Sequence, residues 1–231
     1  MSIGARSLKL RPGDGVAARQ LCAITGAPVS IPDRGRRIHL QFRRFAGCPV
    51  CNLHLHSIIQ RHAEIEAANI REVVVFHSTA EDLLVHADRL PFDVIADPGK
   101  RLYAEFGVDA SARALLDPRA WPFILGGVVH SAFAIVAQGA TAPSMNPQGG
   151  SIGLPADFLL ASDGSVLACK YGKHAYDQWS VDELLDLAHR QTPARWRSEP
   201  PIQLRSQGRN SPSGAAEWSR NDPARIINEN Q

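Results

Sequence analysis

Aromatic residues are scarce in the 231-residue sequence, at 6%, which argues against a surface that stacks nucleobases. Charge of one sign is also lacking: 25 Lys and Arg against 23 Asp and Glu leave a formal net charge of +2. That is too near neutrality for nucleic acid or an anionic membrane to be the expected partner. No apolar run reaches the roughly 18 residues of a transmembrane helix. Met1 to Val16 does not read as a signal peptide, because Arg6, Lys9, Arg11 and Asp14 interrupt any apolar stretch. A cytoplasmic chain is therefore expected. Cysteine is sparse, with Cys22, Cys48, Cys51 and Cys169 as the only four, which excludes a secreted disulfide scaffold. No internal repeat is present.

What is present suffices for a core, at 44% hydrophobic residues. Residues 193–231 carry five prolines and six arginines with few aliphatic residues and no period, the composition of a disordered or loosely packed tail. Residues 1–17 form a weak N-terminal arm. The remaining 18–192 have the size of one domain.

Within that domain, Ile38 to Phe42 alternates apolar and polar residues and predicts a strand. Leu55, Ile58, Ile59, His62, Ile65 and Glu66 mark one face of a helix over 49–68, with Pro49 in its favoured first turn. Glu72 to His77 is a β-branched run suited to a strand covered on both faces. Ser78-Thr79-Ala80-Glu81 reads as a capping box opening a helix to about Leu90. A short strand over 92–96, the Asp97-Pro98-Gly99 turn and a helix over 100–106 follow. Residues 157–161 and 165–171 flank Asp163-Gly164 as a β-hairpin, and Ser180 to Glu183 caps a last helix. Residues 18–24 and 29–31 supply an additional N-terminal hairpin. Alternating strands and helices imply a covered, largely parallel sheet with antiparallel edges. The segment 111–153 is an insertion, either a lid or a helix and loop on the sheet edge.

Cys48-Pro49-Val50-Cys51 falls at a strand-to-helix junction. There the Cys48 sulfur meets free backbone N–H groups and the positive dipole end, both of which favour the nucleophilic thiolate. Two residues three apart within a helix hold their Cβ atoms about 5–6 Å apart, wider than the ~3.8 Å of a disulfide. Closure thus requires Cys48 in the cap position. Structural zinc would need a second ligand pair, whereas Cys22 and Cys169 stand alone and His54 and His56 diverge. Covalent haem attachment is excluded by Asn52 after the second cysteine. Two inert core cysteines remain an alternative. Arg43 and Arg44 precede the pair, and adjacent strand-end residues point oppositely, so one at most faces it. His77 ends a strand near the same cleft, either as a site residue or as a hydrogen-bonded histidine. Cys22 and Cys169 read as core thiols, Cys169 sharing a face with Leu167 and Tyr171.

These elements together resemble the peroxiredoxin-like branch of the alkyl hydroperoxide reductase/thiol-specific antioxidant family, on the thioredoxin-like fold. The resemblance covers about 18–190 and is carried by the CPVC element, Asp97-Pro98, Tyr103 to Gly107, and Pro155 to Leu160 with Asp163-Gly164. It implies an α/β fold with a central mixed sheet flanked by helices. It places Cys48 as the peroxide-reacting cysteine, Arg44 as its arginine, and Pro155 as the proline, often cis, that faces the cysteine loop. Where members carry a Thr three residues before the cysteine and a Pro seven before, this chain has Phe45 and Gln41.

The expected function is an antioxidant thiol oxidoreductase in which Cys48 reduces hydroperoxides, Cys51 resolves, and a thioredoxin- or glutathione-type reductant regenerates the pair. Protein disulfide exchange and a non-catalytic thioredoxin-fold binding module are the alternatives. The expected chemistry needs no metal, flavin or nicotinamide in this chain, and no Gly-rich dinucleotide loop follows the first strand. Self-association into a homodimer is left open.

Overall fold

A computed structural model describes residues 9–87, 90–108 and 153–191, with five positions between 122 and 129. Residues 1–8 of the predicted arm, nearly all of the 111–153 insertion, and the tail over 193–231 lie outside the described residues.

The chain begins with an antiparallel hairpin of β1 (Arg19–Cys22) and β2 (Pro28–Ile31). The central sheet contains β3 (Arg37–Arg43), β4 (Ile70–Phe76), β5 (Asp93–Ala96), β6 (Ala156–Leu160) and β7 (Val166–Tyr171), in the order β5-β4-β3-β6-β7. β3, β4 and β5 run parallel, whereas β6 is antiparallel to both β3 and β7. Five helices complete the described elements: α1 (Pro49–Gln60), α2 (His62–Ala67), α3 (Ala80–Ala87), α4 (Arg101–Glu105) and α5 (Val181–Arg190). This is the expected mixed sheet flanked by helices. Residues 13–16 run beside the β6–β7 turn, where Gly13 N–H donates to the Val166 carbonyl at 2.8 Å.

Local differences from the sequence expectations have local causes. The helix over 49–68 is broken at Arg61, whose φ of −115° leaves the helical range. Ser78 does not cap α3. The Thr79 hydroxyl accepts from Asp82 N–H at 3.2 Å instead, and the Ser78 hydroxyl accepts from Ala46 N–H at 2.9 Å. Leu159 pairs with Ala168 while Leu160 pairs with Val166, so Leu167 is an extra residue in the ladder. That bulge reverses the side-chain parity. Leu167 consequently packs with Leu159 and Trp179, while Cys169 and Tyr171 pack with Phe158 on the other face.

The two faces of β3 divide the chemistry. Ile38, Leu40 and Phe42 join Val29, Ile31, Val73, Val75 and Phe158 in one apolar core. His39, Gln41 and Arg43 alternate with them and are buried as well. Strand register solves the problem this creates, since it sets Glu72 beside His39 and Asp157 beside Gln41. His39 Nδ1 bonds the Glu72 carboxylate at 2.9 Å, and the Gln41 amide donates to the same carboxylate. Arg43 Nη2 donates to the Gln41 side-chain oxygen and, at 2.8 Å, to Asp157 Oδ1. Asp157 Oδ2 accepts from Trp179 N–H at 3.0 Å, which ties the network to the loop before α5. Burial disfavours the charged form of His39, yet the Glu72 and Asp157 carboxylates hold its pKa up to about 9. Burial likewise opposes the Asp157 carboxylate, but Arg43 and His39 hold its pKa well below the usual range.

A buried network of this kind is costly to break, because removing one partner leaves the other charge enclosed and unpaired. Asp157→Ala is expected to lower unfolding free energy by about 3–5 kcal/mol, measured by urea denaturation. A loss under about 1 kcal/mol, the scale of an exposed ion pair, would show that water enters beneath β3.

Candidate active site

The site is assembled where β3 ends. After Arg43 the chain turns through residues 44–47, with Gly47 at a φ of 72°, in the left-handed region that side chains other than glycine rarely occupy. Two bonds hold this turn to β4: His77 N–H donates to the Arg44 carbonyl at 3.1 Å, and Ala46 N–H to Ser78. Cys48 is then the N-cap of α1, and Pro49 begins the helix. The Cys48 Sγ accepts from Cys51 N–H at 3.4 Å and from Arg44 Nη2 at 3.0 Å. Cys48 and Cys51 are both buried free thiols, packed among Phe45, Val50, Ala175 and Tyr176.

The two arginines take different hydrogen-bond partners. Arg43 enters the network beneath α1, and Arg44 turns to the sulfurs. Burial alone would raise both thiols. For Cys51 it is outweighed by the hydrogen bond with Cys48, then by the charge and backbone N–H of Arg44 and the charge of Arg43, which bring its pKa down to about 6. Cys48 is pushed well above its ordinary value by burial and by the neighbouring Cys51 sulfur. The pair holds one negative charge and one proton between its two sulfurs. Such a pair titrates as a unit.

Other predicted residues fall differently. The peptide bond before Pro155 is trans; among the described residues, the one cis peptide precedes Pro32. Pro155 instead supports Gly172, whose N–H donates to the Pro155 carbonyl at 2.9 Å. Cys22 is exposed rather than a core thiol, and Cys169 is half-buried with its thiol toward the Leu10 carbonyl at 3.4 Å. The His77 ring is buried, and neither of its nitrogens has a partner among the described residues. No group of His, Cys, Asp and Glu suited to a metal ion occurs among the described residues. No helix among them is long and apolar enough to cross a membrane.

Residues the motif did not reveal complete the surroundings. Tyr103 on α4 donates its hydroxyl to the carbonyls of Arg43 and Val75, at 2.9 Å to the latter, so α4 buttresses the strand ends below the turn. Asp97 positions that helix by accepting from Arg101 N–H at 3.0 Å and Leu102 N–H at 2.8 Å. His54, one turn beyond Cys51, is buried, and its ring meets Tyr176 edge-on at 6.2 Å between centroids.

A family model described as AhpC/TSA antioxidant enzyme matches residues 57–174. Among solved structures, the peroxidoxin BcpB of Mycobacterium tuberculosis is similar at a TM-score of 0.55 and 16% identity, over 80% of this chain and 99% of that one. The AhpC of Enterococcus faecalis is similar at 0.56 and 14%, over 84% and 99%. A peroxiredoxin-like protein of Aquifex aeolicus gives 0.54 and 12%, over 80% and 90%. At such identities the likeness establishes the fold. No curated protein matches the chain significantly.

The loop carrying Ala175 and Tyr176 over the sulfurs starts at Gly172. A Cβ there would lie 2.7 Å from the Asp177 carbonyl oxygen and 2.9 Å from that of Pro155. Backbone atoms cannot give way as a side-chain tip can, so Gly172→Ala must shift the loop. The expected result is a loss of about 1–3 kcal/mol in stability, with faster alkylation of the pair by iodoacetamide and no change at exposed Cys22. Unchanged reactivity of the pair would show that this loop does not cover it.

Proposed function

This chain belongs to the AhpC/TSA antioxidant enzyme family and is an oxidoreductase of the thiol-peroxidase kind, and from that premise we propose that Cys48 attacks the peroxide and Cys51 resolves it. The observation that carries the assignment is the convergence of Arg44 Nη2 and Cys51 N–H on the Cys48 Sγ at the start of α1. The retained proton moves from Cys48 to Cys51 along their hydrogen bond, leaving a Cys48 thiolate held by the guanidinium and the helix N–H groups. That sulfur attacks the terminal oxygen of a hydroperoxide. An S–O bond forms, the O–O bond breaks, and the departing alkoxide takes a proton from solvent. Cys48 is then a sulfenic acid. Cys51 condenses with it, forming the disulfide and releasing the sulfenic oxygen as water.

The cap position suits this second step, since Cys48 lies outside the rigid helix and can swing toward Cys51. A thioredoxin- or glutathione-type dithiol or thiol returns the disulfide to the reduced state, and a reducing compartment such as the cytoplasm would supply it. Arg44 stabilises the charge that develops on the peroxide oxygens. Phe45 sits beside Arg44, with the guanidinium carbon 5.7 Å from its ring centre, and its apolar ring offers no hydrogen bond. We place Pro155 as a support of the Gly172 turn rather than as a substrate contact. A second reading, disulfide exchange with protein partners, is favoured by the two sulfurs three residues apart at a helix start, because exchange needs thiolate character and access rather than a pocket for an oxyanion.

Hydrogen peroxide added to the reduced protein is expected to produce a Cys48–Cys51 linked peptide in mass spectrometry. In Cys51→Ser a trapped sulfenic acid should accumulate at Cys48 instead. Oxidation confined to Cys22 or Cys169 would contradict the assignment. Reduction of an insulin-type disulfide without peroxide turnover would select the exchange reading.

A further inference from the structure

His77 is the residue near the pair that the cycle above leaves unused. It follows the last residue of β4, and its N–H bond to the Arg44 carbonyl extends the β3–β4 pairing by one step, at 3.1 Å. The ring therefore stands beside Arg44 at the carboxyl ends of the parallel strands, where open α/β sheets present their ligand sites. Only 1% of the residue is exposed, and neither ring nitrogen has a partner among the described residues. Burying such a group without a partner costs free energy, so a native structure that keeps one invites a ligand explanation. Tyr103 fixes the ring edge-on at 5.6 Å between centroids. Burial, with the positive charges of Lys100 and Arg44, keeps the imidazole neutral, its pKa down to about 4. A neutral ring offers one N–H donor and one acceptor nitrogen.

Opposite this ring the chain carries Gly153. A Cβ there would sit 3.5 Å from His77 Nε2 and 3.7 Å from Arg44 Cγ. A glycine thus faces the corner bounded by the imidazole and by the arginine that reaches Cys48. Its φ is not in the left-handed region, so backbone conformation does not demand a glycine here.

We propose that His77 is a peroxide-binding residue: it and Arg44 hydrogen-bond the hydroperoxide between them at the corner that Gly153 faces. This rests on the peroxidase reading above and supplies the hydrogen bond that the Phe45 ring cannot. His77 Nε2, the ring nitrogen at the Gly153 corner, carries the ring's N–H and hydrogen-bonds with it, alongside Arg44, to the hydroperoxide oxygens in the bound state. Both donors then bind the oxygens more strongly as negative charge develops while the O–O bond breaks. No proton leaves His77, and the alkoxide is protonated from solvent as before.

The test compares oxidation of the pair with its alkylation by iodoacetamide, which requires the thiolate but no peroxide oxygen. His77→Leu is expected to slow oxidation by hydrogen peroxide by about 10²–10³, the loss typical of one such donor, with alkylation unchanged. His77→Gln, which keeps a donor and an acceptor, should recover part of that loss. Gly153→Ala should slow tert-butyl hydroperoxide more than hydrogen peroxide. Oxidation of His77→Leu at the wild-type rate would overturn the role of His77 and leave the peroxidase reading standing. Equal slowing of oxidation and alkylation, without rescue by Gln, would also overturn it, by showing that the ring acts through packing. A wild-type pair that hydrogen peroxide leaves reduced would overturn the peroxidase reading itself, and the role of His77 with it.

Discussion

Two buried sulfurs can share a negative charge only while a positive charge stays beside them, and here that charge is the Arg44 guanidinium, 3.0 Å from the Cys48 Sγ. Without it, burial would raise both thiols and leave the pair protonated at neutral pH. Arg43 is anchored by Asp157 and Gln41, and Arg44, the first residue past β3, reaches the Cys48 sulfur. The network of His39, Glu72, Gln41, Arg43 and Asp157 thus serves the site from below, although only Arg43 approaches the sulfurs.

The same dependence explains the rim of the site. Ser78 and Tyr103 bind backbone groups of the turn and the strand ends. Gly47 provides the left-handed step into the helix, and the loop from Gly172 carries Ala175 and Tyr176 against the pair. The family match spans 57–174 and begins after Cys51. Membership and site chemistry are therefore separate conclusions, the first drawn from the match and the second from geometry.

Much of the architecture was legible because it is local. The alternation over 38–42, the β-branched run over 72–77 and the cap at Ser180 each lie within a few residues, whereas at α3 the expected Ser78 cap gives way to Thr79 because the Ser78 hydroxyl holds Ala46 N–H. The cysteine pair stands out by its spacing, whereas parity admits one of Arg43 and Arg44 and the choice of Arg44 comes from the family resemblance. The buried network was not: His39 and Glu72 are 33 residues apart and Arg43 and Asp157 are 114 apart, and only strand register joins them. A signal existed, since three polar residues alternate along a strand that lies between two others and must be satisfied by those neighbours. The Leu167 bulge and the trans peptide before Pro155 had no sequence marker. That one negative charge is shared by the pair follows from the approach of Arg44 to the sulfurs, a contact invisible in the CxxC letters.

The most direct measurement of the central claim is the ultraviolet thiolate absorbance of a Cys22→Ser/Cys169→Ser protein, titrated across pH. One thiolate per chain is expected to appear with a midpoint near 6, the second remaining protonated well into the alkaline range, and Arg44→Met should move the first midpoint upward. Absence of any thiolate below the ordinary range of about 8.5, or ionisation of both sulfurs together, would contradict a single charge shared by the pair and held by Arg44.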